Sequence, residues 1–190
     1  MFYKKRITFV KVVFILELRV ENKNGKKHIF DAFRQKWVVL TPEEGVRQQF
    51  CQFLVDVKSY PQVCIANECT LPINGQLQRC DTVVYSKSHP VMLVEYKAPT
   101  VKITQDVINQ ALRYNTKLHV PYLVVTNSID TYCFSINYQT LKATPLTDIP
   151  EYKSLCDCDA VMRWCGDKKE LNKNGDVVRL FLFNYLYKYD

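Results

Sequence analysis

The sequence lacks the features that mark several large classes of protein. No G-x-x-x-x-G-K-[ST] phosphate-binding loop occurs, so the chain cannot hydrolyse ATP by that route. No internal repeat or low-complexity segment is present, and 190 residues with 47% hydrophobic content predict a single compact domain. The apolar run near the start is interrupted by Lys11 and followed by Glu17 and Arg19, without a small-residue cleavage site. We therefore expect a strand there, and neither a secretory signal nor a membrane span.

The cysteines do not follow the spacing of a disulfide framework. The eight residues, at positions 51, 64, 69, 80, 133, 156, 158 and 165, are irregularly spaced and lie mostly in apolar runs. Free cysteine in such surroundings behaves as a small hydrophobic residue, and this usage fits a reduced cytoplasm. Cys156, Cys158 and Cys165 offer three thiolates to zinc, but their spacing is not that of a C-x-x-C knuckle and no histidine lies near them.

Positive charge is concentrated in one part of the chain. Residues 1–37 hold ten Lys or Arg against three acids, and the remainder holds sixteen of each, so the net charge of +7 lies entirely in the first part. Asn24-Gly25 is a strong turn signal and predicts a hairpin of residues 9–21 and 27–33. Either this basic arm contacts a phosphate backbone through counterion release, or it is a solvated hairpin.

The stretch at residues 91–97 is an apolar run that ends in two charges one residue apart. Side chains alternate along a strand, so Glu95 and Lys97 share one side. A buried carboxylate needs a partner, and a simple ion pair with Lys97 is one interpretation of this pattern. A second strand-like run at 77–85 contains Asp81, and the short polar loop at 86–90 predicts a hairpin that brings Asp81 beside Glu95.

Paired carboxylates of this kind have a specific chemical use. Asp81 and Glu95 in one cleft form an oxygen-ligand site for a hard cation such as Mg²⁺, which keeps several waters when bound. Lys97 beside them can orient or activate a water, or stabilise charge developing on a phosphate. The combination predicts phosphodiester cleavage.

A helix precedes these strands, and its start carries two acids. Thr41 and Pro42 predict the N-cap and first turn, and Glu44 occupies the capping-box position, so capping alone explains it. Glu43 falls near the apolar stripe of the helix. An acid favoured by the helix dipole is the simpler interpretation of Glu43.

A second helix follows the strands. Thr104 predicts its N-cap, and the apolar residues behind it recur at helical spacing. Gln110 and Tyr114 are four residues apart and therefore lie on one face. Taken alone, this pair fits the half-exposed surface of an ordinary helix.

Together, these residues resemble a known family of nucleases. Asp81, then Glu95-x-Lys97, then Gln110-x-x-x-Tyr114 resembles the PD-(D/E)xK nuclease superfamily and its RecB-like members. Residues 36–44, the motif Glu95-x-Lys97-Ala98-Pro99, and residues 121–127 more closely resemble the N-terminal nuclease domain of type I restriction enzyme R subunits. The resemblance extends over roughly residues 20–152, and the joint spacing is far more specific than any single motif.

The resemblance implies a fold and a set of roles. The expected fold is α/β, with a restriction-endonuclease-like core whose mixed β-sheet is flanked by helices, and an N-terminal β-hairpin. Asp81 and Glu95 are expected to hold Mg²⁺ or Mn²⁺, and Lys97 to position a water or steady the transition state. Gln110 and Tyr114 are expected to orient these groups or the DNA backbone. Glu43 corresponds to the acid that the first helix donates in many members.

The sequence thus predicts a metal-dependent DNA endonuclease domain of restriction type. Its expected divisions are a basic arm at 1–35, a nuclease core at 36–152 and a C-terminal extension at 153–190 that packs on the core or on a partner. Arg79 and Arg113 are candidate phosphate contacts. DNA and restriction-modification subunits are the expected partners, and the oligomeric state stays open.

Two alternatives remain at this point. One is a non-catalytic DNA-binding or subunit-docking module that retains the nuclease fold. The other is a single-strand nucleic-acid binder, which needs exposed aromatic residues on a basic sheet face. Because most aromatic residues here follow core-like periodicity, the sequence favours the nuclease over the single-strand binder.

Overall fold

The computed structural model describes residues 19–73, 76–87, 89–140 and 142–156. It begins with a three-stranded antiparallel sheet in the order β1-β2-β3, with bounds Val20–Lys23, Lys26–Asp31 and Lys36–Val39. Asn24 and Gly25 join β1 to β2 with φ angles of 51° and 73°. Two consecutive positive φ angles define the tight hairpin turn that Asn-Gly favours, so this part of the predicted hairpin is confirmed. Residues 9–18 of the predicted hairpin lie outside the described residues.

The larger sheet has six strands in the order β4-β5-β6-β7-β8-β9. Their bounds are Ile65–Ile73, Gln76–Ser86, His89–Tyr96, Tyr122–Thr126, Thr131–Asn137 and Lys142–Pro145. Strands β6 and β7 pair in parallel and every other neighbouring pair is antiparallel. The mixed sheet is therefore confirmed, and the parallel pair needs the helical crossover that lies between its strands.

Helices cover both faces of this sheet. Helix α1, Pro42–Asp56, packs its apolar stripe against the alternate residues Met92, Val94 and Tyr96 of β6. Helix α2, Gln105–Leu118, packs on the opposite face against Leu93 and its neighbours. A short helix α3, Tyr152–Cys156, adds to the α1 side. Because β6 is covered on both faces, its sequence is a continuous apolar run almost to the end of the strand, where the chain approaches the surface.

The N-terminus of α1 departs from the predicted capping box. Thr41 accepts a hydrogen bond from the Glu44 backbone N–H at 3.1 Å, as expected of an N-cap. The Thr41 N–H, however, donates to the Val39 carbonyl, and the Glu44 side chain is engaged elsewhere. Capping alone is therefore the wrong explanation of Glu44, since two arginines compete for its carboxylate more strongly than a backbone N–H does.

Other expectations have mixed outcomes. The predicted order of a helix, three strands, a helix and two strands is confirmed, and β9 is an additional strand. The cysteines at 51, 64, 69, 80 and 133 are free thiols, whereas Cys158, Cys165 and the chain beyond 156 lie outside the described residues. Within residues 19–156, excluding the gaps named above, we find no helix with the length and apolarity needed to span a membrane.

Candidate active site

The β5–β6 hairpin brings two carboxylates to one place. Thr82 pairs with Val94, so the next register step sets Asp81 opposite Glu95. The Asp81 Oδ2 atom accepts a hydrogen bond from the Tyr96 N–H at 3.0 Å, which fixes its side chain against β6. Both carboxyl groups are half-buried. The turn and a shift of register determine this placement: the turn pairs Tyr85 with Pro90, and an irregularity between Val84 and Tyr85 then shifts the pairing by one residue. Without this shift Asp81 would lie opposite Val94 and on the other face of the sheet from Glu95.

Lys97 completes the end of β6. Its backbone N–H donates to the Thr126 carbonyl of β7 at 2.9 Å, which continues the parallel ladder past the last strand residue. Its Nζ atom donates to Glu95 Oε1 at 2.8 Å. Burial opposes the charged form of Lys97, but the bond to Glu95 and the nearby carboxylates outweigh it and raise its pKa. Lys97 is therefore positively charged at neutral pH, and its ammonium group is fixed in place by Glu95.

Glu43, from the first turn of α1, faces the same group of charges. Although one side of Glu43 is exposed to solvent, partial burial and the negative charge of Asp81 raise its pKa. Burial likewise raises the pKa of Asp81. Burial and the charge of Asp81 raise the pKa of Glu95. We call Glu43, Asp81, Glu95 and Lys97 the carboxylate cluster: it holds three acids against one base.

A cavity of about 520 Å³ opens beside this cluster. Its wall includes Glu43, Asp81 and Tyr96, together with residues of the N-terminal sheet and of β4 and β5. The Tyr96 ring does not close the space, since it packs edge-on against Phe50 and its hydroxyl donates to Thr82 Oγ1 at 3.0 Å. The carboxylates of Glu43 and Asp81 thus border an open cleft.

The structure brings together only some of the predicted site residues. Gln110 is half-buried on α2, which covers the face that carries Glu95, but no hydrogen bond between the described atoms joins Gln110 to Glu95 or Lys97. The side chains of Tyr114 and Arg113 lie outside the described part of α2. Arg79 lies on the cavity wall and is ion-paired to Glu68.

The donor set of the cluster suits a hard divalent cation. Asp81 and Glu95 offer carboxylate oxygens, and burial raises the pKa of all three acids, with the charge of Asp81 adding to the effect at Glu43 and Glu95. Among residues whose side chains are described, no group of three His, Cys, Asp or Glu is arranged to hold a metal ion. Mg²⁺ commonly needs only one or two protein carboxylates, with waters completing the octahedron.

A second set of charges, all but one of which line the cavity, was missed by sequence reasoning. Its members, which we call the arginine network, are Asp31, Arg34, Glu44, Arg47, Glu68 and Arg79. Arg34 bridges Asp31, Glu44 and Glu68, which come from three separate elements. The network thereby joins the N-terminal sheet, α1 and β4 around the cleft.

One expectation about these residues is wrong: Glu44 binds Arg34 and Arg47, as described above. Glu68 is a half-buried ion-pair partner of Arg34 and Arg79. Two local signals were present in the sequence: Asp31 and Arg34 lie three residues apart at the end of a strand, and Glu44 and Arg47 lie three apart on one helix face.

A known protein family matches the central part of the chain. The family model described as "Type I restriction enzyme R protein N terminus (HSDR_N)" matches residues 42–150, which is more than half of the chain. The chain belongs to this family. In this R protein N-terminal domain the matched region includes all members of the carboxylate cluster, whereas the three-stranded N-terminal sheet precedes it.

A solved structure is also similar, although weakly. It is a fragment assigned to the HsdR subunit of a type I restriction enzyme from Vibrio vulnificus YJ016, with 23% identity and a TM-score of 0.38. The match covers 54% of this chain and 21% of that one, so the chain spans about a fifth of that structure's length. No curated protein matches the chain. The family assignment depends on the family model and not on this structure.

Proposed function

We propose that this R protein N-terminal domain is a Mg²⁺-dependent DNA endonuclease module with a restriction-endonuclease-like core. The observation that carries the proposal is that Asp81, which lines an open cavity, lies beside Glu95 and Lys97 at the end of β6. Asp81 and Glu95 are half-buried, and together with the exposed Glu43 they outnumber the one base, Lys97. Such an arrangement costs folding energy and is more typical of a functional site than of a structural one. Family membership supports a restriction-type role for the chain.

Each residue has a proposed task. Asp81 and Glu95 hold the metal ion, with the Tyr96 backbone carbonyl as a further oxygen donor. A bound Mg²⁺ supplies charge stabilisation to a phosphate and increases the acidity of a coordinated water. Glu43 adds a third carboxylate from α1. Gln110 and Tyr114 orient the ligands or the DNA backbone from α2.

Lys97 acts as a cation in this scheme. Because its pKa is raised, Nζ keeps its proton at neutral pH and is suited to stabilising negative charge on the phosphate or to orienting water. It is not suited to removing a proton in the free protein. Its bond to Glu95 keeps the ammonium 2.8 Å from a carboxylate that we propose as a metal ligand.

The test is cleavage of supercoiled and linear single-stranded DNA with Mg²⁺, and with EDTA as the matched blank. We expect the wild type to cut, and Asp81→Asn and Lys97→Met each to reduce the rate at least about 100-fold, as loss of a principal electrostatic stabiliser does. Lys102→Met, which removes an exposed lysine outside the carboxylate cluster, is the matched control and should retain activity. Far-ultraviolet circular dichroism must show that every variant is folded.

A second candidate function is a non-catalytic DNA-binding or subunit-docking module. One observation favours it: Glu95 is already ion-paired to Lys97, and within the described side chains no three potential ligands are arranged to hold a metal. This module would bind DNA with a strong salt dependence, and substitution of Asp81 would leave that binding intact or strengthen it. Wild-type cleavage that survives Asp81→Asn, or no cleavage at any metal concentration, would reject the nuclease assignment.

A further inference from the structure

The N-terminal sheet has two different faces. The pairing of β1, β2 and β3 sets alternate residues on an outer face, which we call the aromatic-basic face: Arg19, Glu21, Lys23, Lys26, His28, Phe30, Trp37 and Val39. The other face carries Ile29, which is fully buried, and Asp31, which is ion-paired to α1. Because the inner face anchors the sheet to the core, the residues on the outer face are not required for that packing.

Aromatic and cationic groups are interleaved on this outer face. The Phe30 and Trp37 rings meet edge to face, with centroids 5.6 Å apart and planes at 69°. The Arg19 guanidinium carbon lies 4.6 Å from the Phe30 centroid and 5.9 Å from the Trp37 centroid. Trp37 nevertheless keeps 39% of its surface exposed. A tryptophan held in place on one side and open on the other is a pre-organised stacking surface.

The charge of the face selects the kind of ligand. Arg19, Lys23 and Lys26 are exposed, and Glu21 is the single acid among the residues of this face. An anionic ligand is therefore attracted, and it must also offer flat apolar groups to Trp37. Single-stranded nucleic acid combines both properties, because its unpaired bases stack and its phosphates are spaced along the strand. A duplex offers the phosphates but hides the base faces.

We propose that the aromatic-basic face binds single-stranded nucleic acid, with a base stacked on Trp37 and adjacent phosphates paired with Arg19, Lys23 and Lys26. Strand β3 connects this face to the cleft, since Val39 lies on the same face as Trp37 and also lines the cavity beside Asp81. A strand bound on the face is thus led toward the carboxylate cluster. The assignment does not depend on cleavage, because stacking needs neither the metal nor the carboxylates.

The experiment uses the fluorescence of Trp37 in the full chain. The chain has two tryptophans, so Trp164→Phe makes Trp37 the single emitter. Titration with a twelve-residue oligothymidylate, in EDTA and low salt, should quench this emission in a saturable way. A duplex containing the same strand should quench it much less. Trp37→Ala should weaken binding of the fluorescein-labelled strand about tenfold, as loss of one base–aromatic stack does.

Lys26 and Lys27 provide a matched pair of variants. Both are exposed and adjacent on β2, but only Lys26 lies on the aromatic-basic face, while Lys27 lies on the other. Lys26→Gln should weaken binding about threefold. It should also reduce the slope of log affinity against log salt concentration by the contribution of about one phosphate contact, whereas Lys27→Gln should do neither. These two surface substitutions keep the proposal testable if Trp37→Ala fails to fold.

Four results would overturn the proposal. The first is that Lys26→Gln and Lys27→Gln bind the single strand with equal affinity and that the strand does not quench Trp37 emission. The second is equal quenching by single strand and duplex, which would exclude stacking on an unpaired base. The third is that acrylamide fails to quench Trp37 in the absence of nucleic acid, which would show that another segment of the chain covers the face. The fourth is concentration-dependent self-association that Trp37→Ala abolishes, which would show that a second copy of the chain covers it.

Discussion

Substitution of Arg47 tests how the arginine network supports the cleft. The Arg47 side chain is 4% exposed, and it binds Asp31, which is 0% exposed, at 2.6 Å. It also binds Glu44 through Nε at 3.0 Å. Arg47→Met keeps most of the aliphatic volume but removes the charge and every donor. Asp31 and Glu44 would then share Arg34 alone, which leaves one buried negative charge without compensation.

The expected cost follows from this imbalance. Removing one partner of a buried ion pair costs about 3–5 kcal/mol, because the remaining charge is desolvated and unpaired. This is a large part of the ~5–15 kcal/mol that stabilises a typical domain. Arg79→Gln is the contrasting variant, since Arg79 is 66% exposed and its pair with Glu68 is screened by water. An exposed pair of this kind contributes at most about 1 kcal/mol.

Urea denaturation followed by circular dichroism measures both variants. With a slope on the order of 2 kcal/mol per molar, Arg47→Met should lower the urea midpoint by ~2 M and Arg79→Gln by less than ~0.5 M. Glu44→Gln added to Arg47→Met leaves Asp31 and Arg34 as a balanced pair. The double variant should therefore be more stable than additivity of the single effects predicts.

The pH dependence gives an independent check. Burial opposes the charged form of Asp31, but the hydrogen bond from Arg34 and the charge of Arg47 outweigh it and hold the Asp31 pKa below its ordinary value of 3.8. A lowered pKa contributes stability above the ordinary value and loses it as the pH falls through the folded value. The cost of Arg47→Met should thus be full at pH 7 and shrink below about pH 4. A cost no larger than that of Arg79→Gln, or one independent of pH, would refute this reasoning.

Two predictions concern the carboxylate cluster. Because burial raises the pKa of Asp81 and of Glu95, the folded chain binds more protons than the unfolded chain above their ordinary values, and stability falls as the pH rises through that window. Asp81→Asn, which can still accept from Tyr96, should raise the melting temperature at pH 7 by about 2–4 °C, with the gain vanishing near pH 4; a lower melting temperature at pH 7 would contradict it. Mg²⁺ at tenfold its dissociation constant should stabilise the folded wild type by about 1.4 kcal/mol but should not stabilise Asp81→Asn or Glu95→Gln. Calorimetry measures the melting temperatures, with NaCl of equal ionic strength as the control. An equal shift of the melting temperature in all three proteins would exclude Asp81 and Glu95 as ligands.

The parts of the fold that the sequence predicted are those determined by residues close together in the chain. The turn after β5 and the period of two along β5 and β6 predict their hairpin, but they do not predict the register shift between Val84 and Tyr85 that sets Asp81 opposite Glu95. Helix α1 likewise begins where Thr41 and Pro42 predict it. In each case the residues that determine the feature lie within one hairpin or one helical turn.

The arginine network could not be predicted in this way. Asp31, Glu44 and Glu68 come from β2, α1 and β4, and only the folded arrangement brings them to one guanidinium. The capping-box interpretation of Glu44 failed for the same reason. A local pattern offers the carboxylate a backbone N–H, but a buried arginine binds it more strongly, and only tertiary structure reveals that competitor.

The aromatic residues illustrate a related gap. Alternation along β2 and β3 shows that Phe30 and Trp37 share a face, but it does not show which face the core covers. Ile29 and Asp31 are the residues that turn inward, and this leaves the aromatic pair outside with Arg19. A sheet face that appeared core-like from its periodicity is therefore the one available to a ligand.

The two charge clusters beside the cavity differ in what they contribute. In the arginine network the cations and anions alternate, and the pKa of Asp31 is lowered, so these charges hold the elements together. In the carboxylate cluster the acids outnumber the base, and the pKa values of Asp81 and Glu95 are raised, so their charges oppose folding. A chain optimised only for stability would replace Asp81 or Glu95 with a neutral residue. We propose that a divalent cation bound by the carboxylate oxygens of Asp81, which lines the cleft, and of the neighbouring Glu95 compensates these charges.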